Sequence, residues 1–175
     1  MIMLRLAMLV CLLSSSAAYA NQRSAELVSS FQMYCTPGPP DFSALDAKAT
    51  AMRLVVRKDV GSPRNEGQFT HAKSWRVSLD SGSHELVASE ARGPNGEVTA
   101  CGIGAENVDG DDMKQELIKA MKLDVPVRQT ASADGTQRVT LWKYDDDATL
   151  VLVDGTPMKI PGMYLTLQRR TNTSR

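Results

Sequence analysis

The central part of the chain alternates between apolar and polar residues and predicts a three-stranded antiparallel meander. In its first run, Lys73–Leu79, Trp75 and Val77 share one face and polar residues share the other, which is typical of a strand with one buried side. His84–Ala91 and Glu97–Gly104 follow as the second and third strands. The segments between them are rich in Gly, Ser, Pro and Asn, and these residues favour tight turns.

Two helices are predicted before the meander. Apolar residues at helical spacing run up to Cys35, with Ser24 as the N-cap and the proline-rich segment Thr36–Pro40 as the stop. Asp41 is predicted to cap a second, shorter helix. The apolar run Leu54–Val56 fits either the end of that helix or a short strand, and periodicity does not separate the two.

The polar segment Arg57–Thr70 contains Gly and Pro residues and predicts a long loop. Long loops in compact domains often carry function. We therefore consider this segment one candidate binding surface.

A third helix and a second group of strands follow the meander. Met113–Leu123 is amphipathic, with acidic residues before it and lysines near its end, as the helix dipole favours. Four further strands are predicted over 127–131, 137–144, 149–153 and 163–168. Helices and strands thus come in separate runs, which indicates an α+β fold. We predict a mostly antiparallel sheet of two meanders, with two N-terminal helices and one helix between the meanders, in a single domain over 21–169 with a disordered tail over 170–175.

The N-terminus has the organisation of a Sec signal peptide. Arg5 supplies the positive charge, Leu6–Leu13 is a short apolar run, and Ala18–Ala20 is a small-x-small cleavage site. We predict cleavage after Ala20 and export to the periplasm or the medium. A lipoprotein interpretation through Cys11 is disfavoured because that cysteine lies inside the apolar run and lacks a small residue before it.

Charge and composition narrow the classes of partner. The chain carries 20 basic and 20 acidic residues, and loss of Arg5 with the signal peptide leaves a net charge of about −1 on the mature chain. Nucleic-acid binding requires a strongly basic face, so no nucleic-acid partner is predicted. After signal cleavage no apolar run reaches membrane-spanning length, so no stable membrane insertion is expected. An envelope protein or a ligand is the expected partner, and the sequence leaves the oligomeric state open.

Two cysteines, Cys35 and Cys101, remain in the predicted mature chain. Because export places them in an oxidising compartment, we predict that they form a disulfide. Closing a loop of this length stabilises the fold by about 4 kcal/mol in the chain-entropy model. A free, reactive thiol is the alternative, and it would require a neighbouring activating group.

Candidate metal and cofactor motifs are weak. Asn107–Asp112 begins with calcium-loop spacing but lacks the glycine at the sixth position and the glutamate at the twelfth. It is interpreted instead as an acidic helix cap in which Asp109 or Asp111 accepts backbone N–H bonds. Asp145–Asp147 reads as a solvated hairpin tip, although a metal-binding protein using both acidic clusters remains an alternative. Gly102 and Gly104 lack the rest of a dinucleotide fingerprint and are interpreted as positions that allow either close packing or a bulge beside Cys101. No metal and no cofactor are predicted.

The order of a signal peptide, Phe31 and Cys35, the Trp75 strand and Ala100–Gly102 resembles a group of small exported proteobacterial proteins of unknown function with a paired-cysteine α+β domain. The resemblance covers residues 27–123 and implies an exported, disulfide-bonded protein. It implies no catalytic residue.

The leading functional hypothesis is a non-enzymatic binding or interaction module stabilised by one disulfide. Its candidate interaction surface is an aromatic and basic strip formed by Arg138, Trp142 and Tyr144, since such residues are common at interface hot spots. The alternative is a small periplasmic hydrolase whose site is built from scattered residues that include His71 or His84, because catalytic triads assemble from distant segments.

Overall fold

A computed structural model describes residues 22–38, 40–61, 69–93, 96–133, 135–155 and 162–171. Helix α1 covers residues 22–35, and the predicted signal peptide over 1–20 lies outside the described residues. Helices α2 and α3 cover Phe42–Ala51 and Gly110–Met121. The strands are β1 (Val55–Gly61), β2 (Phe69–Leu79), β3 (Gly82–Gly93), β4 (Gly96–Ala105), β5 (Arg128–Ala131), β6 (Gln137–Lys143), β7 (Ala148–Gly155) and β8 (Met163–Thr171).

All eight strands belong to one antiparallel sheet with the order β1-β2-β3-β4-β8-β7-β6-β5. Each half of the sheet consists of four strands that are consecutive in sequence, and β4 pairs with β8 to join the halves. The predicted α+β class with a mostly antiparallel sheet is therefore confirmed. No helix among the described residues is long and apolar enough to cross a membrane.

The strand register has an internal correspondence centred on the pair Gly102 and Thr166. Counting outward from this pair, positions near the centre of β1–β4 correspond to positions in β5–β8 whose partners on the neighbouring strands also correspond. Two buried rows illustrate it. They are Trp75–Leu86–Ile103 in the first half and Trp142–Leu150–Leu167 in the second.

The three helices cover one side of the sheet, which we call the helix side. A disulfide connects α1 to Cys101 of β4, an ion pair connects α2 to Lys73 of β2, and another connects α3 to Arg138 of β6. These three strand residues point to the same side because alternate positions along a strand share a face. Both tryptophans and most buried leucines also lie there and form one hydrophobic core.

The predicted disulfide is confirmed. Cys35 ends α1 and is bonded to Cys101 in β4, with 5.3 Å between their Cα atoms and a sequence separation of 66. Both cysteines are buried. The bond therefore fixes the first helix to one of the two central strands of the sheet.

Two helix caps agree with the sequence prediction. The Asp41 carboxylate accepts a hydrogen bond from the backbone N–H of Ala44 at 2.8 Å, and the Asp109 carboxylate accepts from two N–H groups at the start of α3. Ser24, in contrast, is not an N-cap, because α1 is already helical at residue 22. Ser24 is buried within the helix instead.

The predicted loop over Arg57–Thr70 is wrong at both ends. The run Leu54–Val56 opens strand β1, which continues to Gly61, and β2 begins at Phe69. Strand β1 is at the edge of the sheet and all seven of its residues are exposed. It therefore shows no apolar alternation from which a strand is recognised. Residues 62–68 lie outside the described residues.

The disordered tail predicted over 170–175 also starts too early. Arg170 and Thr171 belong to β8 and pair with residues of β4. The remainder of that segment, 172–175, lies outside the described residues.

Candidate functional site

The side of the sheet opposite the helices is the candidate functional surface, and we call it the open face. None of the three helices packs on it. Its centre is a row of small and aliphatic side chains, of which three, Val87, Val151 and Leu141, are partly exposed. This row consists of Ser74, Val87, Gly102, Thr166, Val151 and Leu141.

Small residues in this row let the two central strands pack closely. A Cβ atom added at Gly102 would lie 2.6 Å from the carbonyl oxygen of Leu165 and 2.9 Å from the Thr166 hydroxyl. These distances are shorter than any normal contact, so only glycine fits. The sequence interpretation of Gly102 as a close-packing position is confirmed.

Strand alternation sorts the charged residues between the two sides of the sheet. Among the described strand residues, Glu85 is the single acidic side chain on the open face. The basic residues there are far more numerous. They are Lys58, Arg76, Arg128, Lys143 and Arg170, with Arg57 beside them at a β-bulge in β1. A chain of zero formal net charge therefore presents a basic surface on one side.

Most basic side chains of the open face have no acidic partner. Within the described part of the chain, Arg57, Lys58, Arg76, Arg128 and Arg170 make no side-chain hydrogen bond or ion pair, and all five are exposed. Lys143 differs, because its Nζ lies 2.8 Å from Oδ1 of Asp146. The open face therefore keeps much of its positive charge available for a partner.

Basic residues on the helix side are neutralised. Lys73 lies 2.7 Å from Asp46, and hydrogen bonding to that carboxylate raises the pKa of Lys73. Arg138 lies 2.8 Å from the buried Asp154, which raises the pKa of the guanidinium. These ion pairs are structural, because they join β2 to α2 and β6 to β7.

One end of the open face forms a cleft of about 1160 Å³. Its lining includes Arg57, Arg76, Tyr164 and residues 81–83 at the β2–β3 turn. Tyr164 is 37% exposed, and partial burial raises the pKa of its phenol. Its ring lies against Gly104, where an added Cβ would be 3.1 Å from Cδ2. The cleft thus combines one aromatic surface with two guanidinium groups, those of Arg57 and Arg76, that have no acidic partner among the described residues.

The interaction strip predicted from the sequence is not an exposed surface. Trp142 is 1% exposed and belongs to the core. Arg138 is held by Asp154 and by Asp111, the latter at 2.9 Å. Tyr144 is exposed but follows the end of β6. Both faces of β6 carry large apolar residues, so alternation alone does not tell which face the helices cover.

His84 is buried against α1. Its Nε2 lies 2.9 Å from the Ser30 hydroxyl, and both residues are less than 5% exposed. Burial, aided by the positive charge of Arg23, lowers the pKa of His84 to about 4. Its Nδ1 has no hydrogen-bond partner among the described residues. The imidazole is therefore a weak base, and no carboxylate of the described chain orients it.

His71 lies near the outer end of β2 in a polar cluster. Its Nε2 is 2.7 Å from Oδ1 of Asp59, and its Nδ1 is 4.0 Å from Glu90. The hydrogen bond to His71 lowers the pKa of Asp59. The ring also packs against Phe42, with 4.2 Å between the centroids. The structure does not bring His71 and His84 together.

The two acidic clusters form caps and ion pairs. Asp109 caps α3, as described above. At the β6–β7 turn, Asp145 lies 2.6 Å from Arg169 and Asp146 lies 2.8 Å from Lys143. The described residues contain no group of three or more potential metal ligands.

Comparison of the chain with known protein families, curated proteins and solved structures found no match. The resemblance to small exported proteins over residues 27–123 therefore stays a prediction, and the function is argued from the geometry alone.

Proposed function

We propose that this chain is an exported, non-enzymatic binding module, periplasmic or secreted, whose recognition surface is the open face of its sheet. In this proposal two four-stranded meanders form one continuous platform. The helices and the Cys35–Cys101 disulfide stabilise the platform from behind.

The uncovered basic face is the observation that carries the proposal. On β3 and β7 the open-face positions are partly or fully exposed, while most of their neighbours on the helix side are buried. Five exposed basic side chains there lack an acidic partner among the described residues. A flat surface with an aliphatic centre and unpaired charges around it has the composition of a protein interface.

Site-specific photo-crosslinking tests this proposal. A photoreactive residue is placed at Ser89, near the middle of the open face, and in a matched control at Lys119, whose side chain on α3 is 81% exposed. We expect the same adduct in envelope extract from Ser89 and from a second open-face position, Val151, with none from Lys119. Unlabelled mature protein should compete the adduct away. Equal labelling from all three positions, or none from either open-face position, would refute the recognition surface.

Export has its own test. Mass spectrometry of the natively produced protein should find a mature chain that begins at Asn21. A protein that retains residues 1–20 would contradict the predicted cleavage.

A hydrolase remains the second candidate because the Ser30 hydroxyl and His84 lie within hydrogen-bond distance, 2.9 Å. Against it, both groups are buried, and the lowered pKa of His84 is far from the value near the working pH that a general base requires.

The hydrolase alternative is tested with a panel of chromogenic esters and peptide amides at pH 7. The binding-module proposal expects no turnover above the uncatalysed rate. Turnover that is abolished by Ser30→Ala in a folded variant, and is retained by Ser29→Ala, would favour the hydrolase instead.

A further inference from the structure

We infer that the partner of the open face is an acidic protein surface whose carboxylates meet two separated pairs of cations, Lys58 with Arg76 and Arg128 with Lys143. This inference rests on the proposed function and adds to it the charge, the spacing and the class of the partner.

The two pairs of cations occupy equivalent positions in the two halves of the sheet. Arg76 directly follows Trp75, and Lys143 directly follows Trp142. Lys58 and Arg128 each pair with the residue before the corresponding tryptophan. The register correspondence about Gly102 and Thr166 therefore maps one cation pair onto the other. A positive charge therefore stands at the same place in each half of the sheet, and Lys143 differs from Arg76 in also contacting the exposed Asp146 at 2.8 Å.

The distance between the cation pairs sets the minimum length of a partner that contacts both of them. One pair belongs to β1 and β2, and the other to β5 and β6, at opposite edges of the sheet. Neighbouring strands are about 4.8 Å apart, so the pairs are separated by roughly 25–35 Å. A single small anion does not reach both. A protein surface, or an extended segment of about ten residues at roughly 3.3 Å per residue, does.

Between the cation pairs the open face carries two charged side chains among the described strand residues, Glu85 in β3 and Arg170 near the end of β8. Val87, Val151 and Leu141 are partly exposed there, among serines and threonines. Protein interfaces usually have an apolar centre and a polar or charged rim. Nucleic acids and sugars are more often bound on aromatic platforms, but the described strand residues of this face include one aromatic, Tyr164. An acidic protein partner therefore fits better than a polyanionic chain.

A second copy of this chain, bound face to face, fits poorly. Such a dimer would bring exposed arginines and lysines of one copy against those of the other, and like charges in contact disfavour association. Electrostatic complementarity instead selects a partner of opposite sign.

The test uses a synthetic decapeptide with two glutamates at each end and alternating valine and threonine between them. Its binding to the mature protein is measured by fluorescence anisotropy at 50 and 200 mM NaCl. Two control peptides carry glutamine or lysine in place of glutamate. We expect binding of the acidic peptide alone, weakened several-fold at the higher salt because exposed charges are screened.

Charge-reversal variants test the two-pair arrangement. Lys58→Glu with Arg76→Glu, and separately Arg128→Glu with Lys143→Glu, should each weaken peptide binding by about tenfold or more. The matched control, Lys119→Glu on α3, should leave it unchanged. Circular dichroism and thermal melting verify folding, and the corresponding glutamine variants replace any reversal that does not fold.

Each outcome distinguishes this inference from the proposed function. If reversing Lys58 and Arg76 abolishes peptide binding but reversing Arg128 and Lys143 does not, the inference is overturned and a local anion site in the cleft is indicated. Tighter binding to vesicles with anionic lipid, or to dextran sulfate, would overturn the protein class of the partner. No binding of the peptide while the Ser89 adduct persists would refute the inference and leave the binding module standing. If neither peptide binding nor the Ser89 adduct is observed, the inference and the proposed function are both refuted.

Discussion

The buried His84 makes a quantitative prediction about stability and pH. Its pKa falls from an ordinary value of about 6.5 to about 4 because burial and the nearby Arg23 oppose protonation. Since the pKa is lowered on folding, the unfolded chain binds a proton first as the pH decreases. The stabilisation is therefore fully present above pH 6.5 and is lost progressively between pH 6.5 and pH 4.

The magnitude follows from the size of the shift. A difference of one pKa unit corresponds to about 1.4 kcal/mol, so a shift of this size changes the free energy of unfolding by roughly 3 kcal/mol. This is a large share of the 5–15 kcal/mol that is typical of a domain. It should therefore be visible against the contributions of the carboxylates.

The assay is urea unfolding followed by tryptophan fluorescence between pH 7.5 and pH 4, for the native protein and for His84→Gln. The glutamine amide keeps a hydrogen-bonding group near the Ser30 hydroxyl and does not titrate. Carboxylates titrate equally in both proteins, so the difference between the two curves isolates the histidine. As the pH falls from 7.5 to 4, we expect the free energy of unfolding of His84→Gln to rise by about 3 kcal/mol relative to that of the native protein. Parallel curves, or an imidazole NMR titration with a midpoint near 6.5, would refute the reasoning.

Three further predictions concern the core and the sheet. Replacing both Cys35 and Cys101 with alanine should lower the free energy of unfolding by about 4 kcal/mol, because a long loop is no longer closed in the unfolded chain; a loss below about 1 kcal/mol in urea unfolding would contradict this. Trp142→Ala should cost about 3–5 kcal/mol through a core cavity, whereas Tyr144→Ala should change the melting temperature little, and equal effects would contradict the burial assigned to Trp142. Gly102→Ala should lower the melting temperature by several degrees because its methyl group would overlap the backbone of β8; an unchanged melting temperature would show that β4 and β8 separate easily.

The local sequence was enough to predict the helices and strands that bury one face, because burial of one face gives apolar residues a regular spacing. Lys73–Leu79 alternates because Trp75 and Val77 face the core, and that alternation identifies the strand without tertiary information. The caps at Asp41 and Asp109 were predictable for a related reason, because a helix start needs local acceptors for its first N–H groups. The Cys35–Cys101 pairing followed from the count of cysteines.

One edge of the sheet was hidden from the sequence. Strand β1 is exposed along its whole length, so it carries no burial pattern, and its residues resemble those of a loop. The other edge strand, β5, is also exposed and short, but the sequence did predict a strand over 127–131. Only pairing with a neighbour makes such segments strands, and pairing is a property of the folded chain.

The candidate site depended on tertiary structure even more. The sequence correctly grouped Arg138 and Trp142 on one face of β6, but the opposite face carries Val139 and Leu141, and either side was suitable for the core. The packing of the helices decided between them, since a sheet must bury one face against another layer. That choice turned Trp142 inward. It placed Arg76 and Lys143 together on the exposed side, although 67 positions separate them in the chain. Alternation thus fixed which residues share a face, and the helices fixed which face is left exposed.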